Sequence, residues 1–248
     1  MDKLYIIKIG GNIIDDEQKL AAFLEDFSNI DGRKILVHGG GKLATRMADT
    51  LGIQQQMIDG RRITDAETLR IVTMVYAGYI NKNIVAKLQS FNCNAMGLCG
   101  ADGDYGFVGD VDAINTDLAD MLLSRNIALV FAPITHDQQG QLLNTNADTI
   151  AQELAKGLST LYEVSLVYSF EKSGVLLNAD DDSTVIPSIN PDYYQQLKAQ
   201  KKIFAGMLPK LDNAFTALNS GVSRVIIGKA EQLHQLIQGS AGTTIVNE

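Results

Sequence analysis

Residues 34–42 read KILVHGGGK, an aliphatic run that ends in three consecutive glycines, and this stretch decides the fold. Residues 4–12, LYIIKIGGN, repeat the pattern with Gly10 and Gly11 after the run. Glycines between a strand and a helix leave backbone N–H groups uncovered, and the helix N-terminus adds the positive end of its dipole. Because two such loops would lie at the carboxyl ends of neighbouring strands, they predict an anion-binding crevice in an open α/β sheet.

The rest of the chain alternates short β-branched runs with amphipathic helical patterns. Residues 65–90 form a long helical stretch, in which Gly78 predicts a break or a close helix contact. Strands are predicted at residues 4–9, 34–38, 127–131, 161–168 and 222–227. Strands separated by helices of this length favour βαβ units. They therefore predict an α/β fold with a mainly parallel sheet covered on both faces.

Composition excludes several classes of function. The 248 residues carry a formal net charge of −8, which argues against general affinity for nucleic acid or anionic membranes. No apolar run is long enough for a signal peptide or a membrane span, so a cytoplasmic location is expected. Cys93 and Cys99 are expected to be reduced, buried thiols. His38, His136 and His234 are scattered, and no metal site is predicted from them.

The glycine loop at residues 38–42 has two alternative interpretations. It matches the dinucleotide-binding pattern G-x-G-x-x-A from Gly39 to Ala44, with Asp59 near the place of the ribose-binding acid. However, residues 53–58 make a poor buried strand for positioning that acid. A Walker A loop fails because Leu43 stands where serine or threonine is required. Taken singly, each glycine loop is equally compatible with a tight strand-to-helix turn.

Five segments, read together, carry a family resemblance. In chain order they are Lys8-Ile9-Gly10-Gly11, Val37-His38-Gly39-Gly40-Gly41, Gly60-Arg61-Arg62-Ile63-Thr64, Asn144-Thr145-Asn146-Ala147-Asp148 and Gly206-Met207-Leu208-Pro209-Lys210. The chain resembles the acetylglutamate kinases, a branch of the amino-acid kinase family, over nearly its whole length. The resemblance implies an open three-layer αβα sandwich. It also implies an N-terminal lobe (residues 1–157) for acylglutamate binding and dimerisation, and a C-terminal lobe (residues 158–248) for ATP.

The implied reaction is the ATP-dependent phosphorylation of the side-chain carboxylate of N-acetyl-L-glutamate, a step toward arginine. When a carboxylate attacks ATP, two anions meet, so cations are needed at the transferring group. The resemblance assigns these catalytic roles to Lys8 on the attacking side and Lys210 on the leaving side. Asp148 would hold both lysines in place. No general base is required, because the nucleophile is already ionised.

Substrate roles follow from the same resemblance. The N–H groups of Gly39 and Gly40 would bind the attacking carboxylate, and Arg62 would grip the α-carboxylate in a bidentate manner. Arg61 is the rival for that role, and only the match to G-x-R-x-T favours Arg62. Asn144 would bond the acyl amide or the α-carboxylate.

The implied nucleotide site involves the first glycine turn and two segments of the C-terminal lobe. Its residues are Gly10, Gly11, Glu171, Ser173, Gly174, Gly206 and Met207. Residues 171–174 read Glu-Lys-Ser-Gly where the family usually has Asp-Val-x-Gly, so the glycine of the turn is retained and the acid is changed. Mg²⁺ should accompany ATP and be held mainly by the phosphates and water, with no metal ligands from the protein.

Three further expectations remain open to test. Family members carry extra residues between Asp104 and Tyr105 that form a hairpin near the acyl group, so N-succinylglutamate stays an alternative substrate. Arginine-inhibited members of the family carry an additional helix before the first strand, whereas here the strand starts at about Leu4, so the resemblance implies a homodimer without arginine inhibition. A non-catalytic amino-acid-binding regulator and a nicotinamide-dependent dehydrogenase are the rivals from other classes. The first is disfavoured by the retention of Lys8, Asp148 and Lys210 together.

Overall fold

A computed structural model describes residues 1–58, 61–103, 114–178, 180–200, 202–203 and 207–247. The strands are β1 (Lys3–Ile9), β2 (Arg33–His38), β3 (Gln56–Ile58), β4 (Arg61–Ile63), β5 (Ala95–Cys99), β6 (Ala128–Ala132), β7 (Ile134–His136), β8 (Leu142–Asn144), β9 (Glu163–Phe170), β10 (Ser188–Ile189), β11 (Arg224–Lys229) and β12 (Thr243–Ile245). The α-helices are α1 (Gly11–Ile14), α2 (Glu17–Ser28), α3 (Gly41–Thr50), α4 (Ala66–Thr73), α5 (Asn81–Ser90), α6 (Thr116–Leu123), α7 (Ala147–Leu158), α8 (Pro191–Ala199), α9 (Leu208–Asn219) and α10 (Leu233–Gln238). A π-helix spans Met74–Ile80, and 3₁₀ turns span Asp182–Thr184 and Ala230–Gln232.

Eight strands form the central sheet in the order β10-β12-β11-β9-β1-β2-β6-β5. The six strands from β11 to β5 pair in parallel, while β12 runs antiparallel to β11 and β10 runs parallel to β12. The five strands predicted from the sequence correspond to β1, β2, β6, β9 and β11. The prediction of a mainly parallel sheet is therefore confirmed.

Each face of the sheet packs against its own layer of helices. One apolar cluster lies under α6 to α9, and a second lies under α2 to α5 and α10. The side chains of strand β1 alternate between the two faces of the sheet, because successive residues of a strand point to opposite sides. Leu4 and Ile6 belong to the first cluster and Ile7 to the second. The result is the predicted three-layer αβα sandwich. Lys8 follows Leu4 and Ile6 on the face that α7 covers.

The long helical stretch begins at Asp65, whose side chain caps it by accepting a 2.8 Å hydrogen bond from the Thr68 N–H. The chain then stays helical through α4, the π-helix and α5. The predicted break at Gly78 is wrong, because Gly78 lies within the π-helix and the chain stays helical on both sides of it. The predicted close contact is also wrong for the part of the chain that the structure describes, since a Cβ at Gly78 would meet no atom there within 4 Å.

Two short antiparallel ribbons stand apart from the central sheet, β3 with β4 and β7 with β8. They carry Arg62 and Asn144, respectively. Because β3 lies outside the sheet, the strand needed by the dinucleotide interpretation is missing there, and Asp59 itself lies outside the described residues. No helix in the described part of the chain has both the length and the apolar character needed to cross a membrane.

Candidate active site

Asp148 lies between two lysines that come from distant parts of the chain. Its Oδ1 is 2.8 Å from the Nζ of Lys8, and its Oδ2 accepts a 3.2 Å hydrogen bond from the Nζ of Lys210. Lys8 is near the end of β1, Asp148 is in the first turn of α7, and Lys210 is in the first turn of α9. The structure therefore brings together all three predicted catalytic residues.

The first turn of α7 holds the Asp148 carboxylate in place. The side chain of Asn146 caps this helix by accepting a 2.7 Å hydrogen bond from the Asp148 N–H. A carboxylate at this end of a helix is also favoured by the helix dipole. Burial raises the pKa of the Asp148 carboxyl, but the ammonium groups of Lys8 and Lys210 outweigh burial and keep the pKa below its ordinary value. Asp148 is therefore ionised at neutral pH.

Tyr168 supports this cluster from β9, where it pairs in register with Lys8. The Nζ of Lys210 lies 5.7 Å from the centre of the Tyr168 ring, within range of a cation–π interaction. Burial, the first cause, and the charge of Asp148 raise the pKa of the Tyr168 hydroxyl, so it stays protonated. Sequence reasoning missed this residue, because an aromatic residue within a buried strand carries no signal beyond the core pattern.

A cavity of about 570 Å³ opens beside the cluster. Asn146, Ala147 and Thr149, which flank Asp148, are among its lining residues. The predicted substrate residues also line it: Gly39, Gly40, Arg62 and Asn144. The cavity has the size of a small-molecule site. The structure thus brings the substrate and catalytic residues to one place.

Arg62 is held in place through one of its two terminal nitrogens. Its Nη2 donates to the Gly41 carbonyl at 3.0 Å and to the Thr45 hydroxyl at 2.9 Å. Its Nη1 is buried and has no hydrogen-bond partner among the residues that the structure describes. A buried guanidinium nitrogen without a partner is costly, so this group fits an anion that enters the cavity. The side chain of Arg61, the rival, lies outside the described part.

The glycine turn at Gly40 is shaped by the helix behind it. Gly40 has φ +148°, and a Cβ there would lie 2.2 Å from Ile80 Cδ1 and 3.3 Å from the Tyr76 ring. Only glycine lets the backbone approach the helix so closely. Tyr76 also lines the cavity, and burial raises the pKa of its hydroxyl despite the opposing effect of Arg62. No pattern in the sequence identified Tyr76 as a residue of this site.

Asn144 bridges the two short ribbons. Its Nδ2 donates a 3.0 Å hydrogen bond to the hydroxyl of Thr64, which in turn donates to the Arg62 carbonyl at 3.1 Å. The contact ties β8 to the segment that follows β4. Asn144 and Thr64 both line the cavity, so the amide and hydroxyl are available to a bound ligand. Thr64 belongs to the G-x-R-x-T segment, which could have identified it.

The predicted nucleotide residues lie around the same edge of the sheet. Gly10 and Gly11 form the turn from β1 into α1, and a Cβ on Gly10 would meet no atom within 4 Å. Glu171 is exposed just after β9, and Ser173 donates a 2.8 Å hydrogen bond to Asp182.

Gly174 and Met207 complete the described part of this set. A Cβ on Gly174 would lie 2.7 Å from the Thr243 hydroxyl, so the turn requires glycine. Met207 precedes α9 and packs on the core, whereas Gly206 lies outside the described residues. In the described part of the chain no cluster of histidine, cysteine or acidic side chains could hold a metal ion.

Comparison with known proteins identifies the class. The model of the amino acid kinase family matches residues 3–229. This chain belongs to the amino acid kinase family.

Two curated relatives are similar along nearly their whole length, and both are acetylglutamate kinases. The protein from Cytophaga hutchinsonii is 56% identical, with 99% of each chain covered. The protein from Parabacteroides distasonis is 52% identical, with 95% of this chain and 97% of the relative covered. Among solved structures, carbamate kinase from Giardia lamblia has a TM-score of 0.70 at 14% identity, with 100% of this chain and 99% of that chain covered. That likeness concerns the fold alone, and it agrees with the three-layer architecture.

Proposed function

We propose that this protein is an acetylglutamate kinase, which transfers the terminal phosphoryl group of ATP to the side-chain carboxylate of N-acetyl-L-glutamate. The observation that carries the proposal is the Asp148 carboxylate between Lys8 and Lys210, beside a cavity that Arg62 lines and in which Nη1 of Arg62 has no partner among the described residues. The names of the two relatives agree with this activity. The product is N-acetyl-L-glutamyl 5-phosphate, and the pathway is arginine biosynthesis.

The reaction needs charge neutralisation and alignment more than covalent help. A substrate carboxylate oxygen forms a bond to the γ-phosphorus, the bond from that phosphorus to the β–γ bridging oxygen breaks, and ADP leaves with the electron pair. Lys8 would balance charge at the attacking side and Lys210 at the leaving side. Asp148 keeps both ammonium groups in place before substrates arrive. The attacking carboxylate is already ionised, so no proton has to be removed.

Recognition of acylglutamate divides between backbone and side chains. The N–H groups of Gly39 and Gly40 would bind the reacting carboxylate, and Arg62 Nη1 would take the α-carboxylate. Asn144 would bond the acyl amide or the α-carboxylate. Among the lining residues that the structure describes, Arg62 is the only ionised side chain. A neutral acetyl group requires no further cation, whereas the second carboxylate of a succinyl group does.

The nucleotide would occupy the C-terminal side of the site. ATP supplies the phosphoryl group when bound. The Gly10–Gly11 turn would face its phosphates, and the segments at Glu171, Ser173, Gly174 and Met207 would contact the rest of it. We also propose that Mg²⁺ enters with ATP and is held by phosphate oxygens and water.

A substrate assay tests the function directly. The purified protein is given ATP, Mg²⁺ and either N-acetylglutamate, N-succinylglutamate or free glutamate, and the acyl phosphate is trapped with hydroxylamine as a hydroxamate. We expect the highest kcat/KM with N-acetylglutamate. A preference for N-succinylglutamate would retain the kinase and change its acyl group. Turnover of free glutamate alone, or of none of the three, would refute the proposal.

The proposed activity is accompanied by a cellular location, an oligomeric state and a division of the chain into two lobes. We propose a cytoplasmic homodimer, in which residues 1–157 bind acylglutamate and form the dimer while residues 158–248 bind ATP. The described cavity supports this division, because all of its lining residues fall within the first range. Exposed apolar side chains at Met74 and Tyr79 on the π-helix and at Met96 on the edge strand β5 are compatible with an interface. Light scattering of the purified protein would measure the oligomeric state.

A further inference from the structure

His38 is buried at the end of β2, directly beneath the glycine turn. Its Nδ1 lies 2.9 Å from the Gly39 carbonyl oxygen, and its Nε2 lies 3.2 Å from Nδ2 of Asn81. A carbonyl oxygen can only accept a hydrogen bond, so Nδ1 carries the proton and donates. Nε2 is then the acceptor, and it faces an amide nitrogen that can only donate. Both ring nitrogens are satisfied by one tautomer.

Asn81 fixes the far side of the ring. Its Nδ2 also donates a 2.9 Å hydrogen bond to the Val130 carbonyl, and its Oδ1 accepts one of 3.2 Å from Lys82. Lys82 in turn donates to the Gly97 carbonyl at 3.0 Å. Asn81 is itself buried, and a Cβ on Gly97 would lie only 1.9 Å from its Oδ1. The imidazole is therefore anchored through α5 to two strands of the sheet.

This anchoring determines the direction of one peptide group. The C=O of Gly39 and the N–H of Gly40 belong to the same peptide unit, and in a trans peptide they point in opposite directions. His38 holds the carbonyl from the buried side. The Gly40 N–H is therefore directed away from the ring, and Gly40 lines the cavity.

We propose that His38 is a positioning residue for phosphoryl transfer: by holding the Gly39 carbonyl, it aims the Gly40 N–H at the carboxylate of the bound acylglutamate. The inference rests on the proposed kinase function and adds a residue that does not touch the substrate. Peptide groups next to glycine rotate easily, because no Cβ restricts them. An aimed donor stabilises developing charge only when its orientation is fixed in advance.

A direct acid–base role for the ring does not fit the same geometry. Burial lowers the pKa of His38 to about 4, so the imidazole is neutral at pH 7. Both nitrogens are occupied by protein partners, and the side chain has no exposed surface. The ring therefore acts through the peptide that it holds.

Two amide variants separate the hydrogen bonds of the ring. In H38N the side-chain nitrogen is attached to Cγ, as Nδ1 is, so the variant can retain the donor to Gly39 and lose the contact with Asn81. In H38Q the amide is one bond farther out, at the reach of Nε2, so the variant can retain Asn81 and lose Gly39. Both variants place a neutral amide in the same buried site and serve as matched controls for stability.

Steady-state kinetics with N-acetylglutamate and ATP, together with melting temperatures, test the inference. For H38Q we expect kcat/KM for acylglutamate to fall by about 10- to 100-fold, and for H38N by about threefold or less. The KM for ATP should be unchanged in both. Equal losses in the two variants, or losses that follow the melting temperature, would overturn the positioning role. If H38Q does not fold, H38A replaces it, since alanine also lacks the donor.

The design keeps this inference separate from the proposed function. If the wild-type protein phosphorylates none of the acylglutamates, the function fails before any variant is compared. If the wild type is active and H38Q is as active as H38N, only the role of His38 fails.

Discussion

The Nζ of Lys8 lies 2.8 Å from Oδ1 of Asp148, across the boundary between the sheet and the helix layer that covers it. The same carboxylate accepts a hydrogen bond from Lys210, so two cations share one counter-ion. These contacts hold both ammonium groups close to the carboxylate. Little rearrangement of these side chains is then needed when two anionic substrates meet.

Removal of either lysine should slow the chemical step. We expect K8A and K210A each to lower kcat by about 100- to 1000-fold, because each removes a positive charge from the transferring group. Hydroxamate formation measures the rate. Lys19, which pairs with Glu231 at 3.6 Å on the surface, provides a matched control, and K19A should keep wild-type activity. Turnover near normal in both site variants would contradict the assigned roles.

Loss of the Arg62 guanidinium should weaken binding of the acylglutamate selectively. We expect R62Q to raise the KM for acylglutamate by about 100-fold, since a charge-assisted contact to the α-carboxylate is lost. The KM for ATP should change little. R62K should not restore binding, because an ammonium lacks the planar fork that also bonds Gly41 and Thr45.

The exposed Arg70 on α4 is the control for Arg62. R70Q should have wild-type kinetics for both substrates. If R62Q left both KM values unchanged, the α-carboxylate would have to be bound elsewhere.

Alanine at two glycines should have opposite effects on stability. G40A places a Cβ 2.2 Å from Ile80 Cδ1 at a positive φ, so we expect the free energy of unfolding to fall by about 1–3 kcal/mol. G78A adds a Cβ in a helical segment, and this atom would meet no atom of the described residues within 4 Å. There the free energy of unfolding should rise by as much as about 1 kcal/mol. Urea unfolding compares the two, and a stable G40A protein would show that the turn can move off the helix.

Because His38 is buried and neutral in the folded protein, the free energy of unfolding should fall as the pH is lowered. Burial lowers the pKa of its imidazole from the ordinary value of 6.5 to about 4. Between these two values the unfolded chain binds a proton that the folded chain does not, so stability is lost as the pH falls. From pH 7 to pH 5 this residue should cost about 2 kcal/mol.

The H38N variant isolates that contribution. It lacks the titrating group and keeps His136 and His234, so its free energy of unfolding should decline less than that of the wild type between pH 7 and pH 5. If the free energy of unfolding fell equally with pH in the two proteins, His38 would be protonated in the folded state as readily as in the unfolded state.

The parts of this structure that local sequence predicts are those with a repeating pattern. Strands such as β1 and β9 are long enough to show aliphatic runs, and the glycine turns mark where β1 and β2 end. The ribbons β3–β4 and β7–β8 escape prediction, because strands of three residues are too short for a period of two to stand out. Only the family motifs pointed to Arg62 and Asn144 on them.

Contacts between distant residues explain the other omissions. Tyr76 and Asn81 meet the glycine turn through the packing of a helix on the sheet, and no local pattern distinguishes them from ordinary core residues. The sequence predicts no metal site at His38, and the isolated position of this residue gives no hint of its contact with Asn81. The catalytic roles of Lys8, Asp148 and Lys210 stay predictions until the variants are measured, although their side chains meet.

The π-helix at Met74–Ile80 changes the rotation of α5 about the helix axis relative to α4. Without it, α4 and α5 would form one regular α-helix. Tyr76 and Ile80, both within the π-helix, lie close to Gly40. Asn81, the first residue after the π-helix, contacts His38. Each residue of an α-helix advances about 100° around the axis. Deleting one residue from the wide turns would restore regular α-helical winding and rotate α5 by about that angle relative to α4. Tyr76 and Asn81 could then no longer contact the glycine turn and the histidine beneath it at the same time.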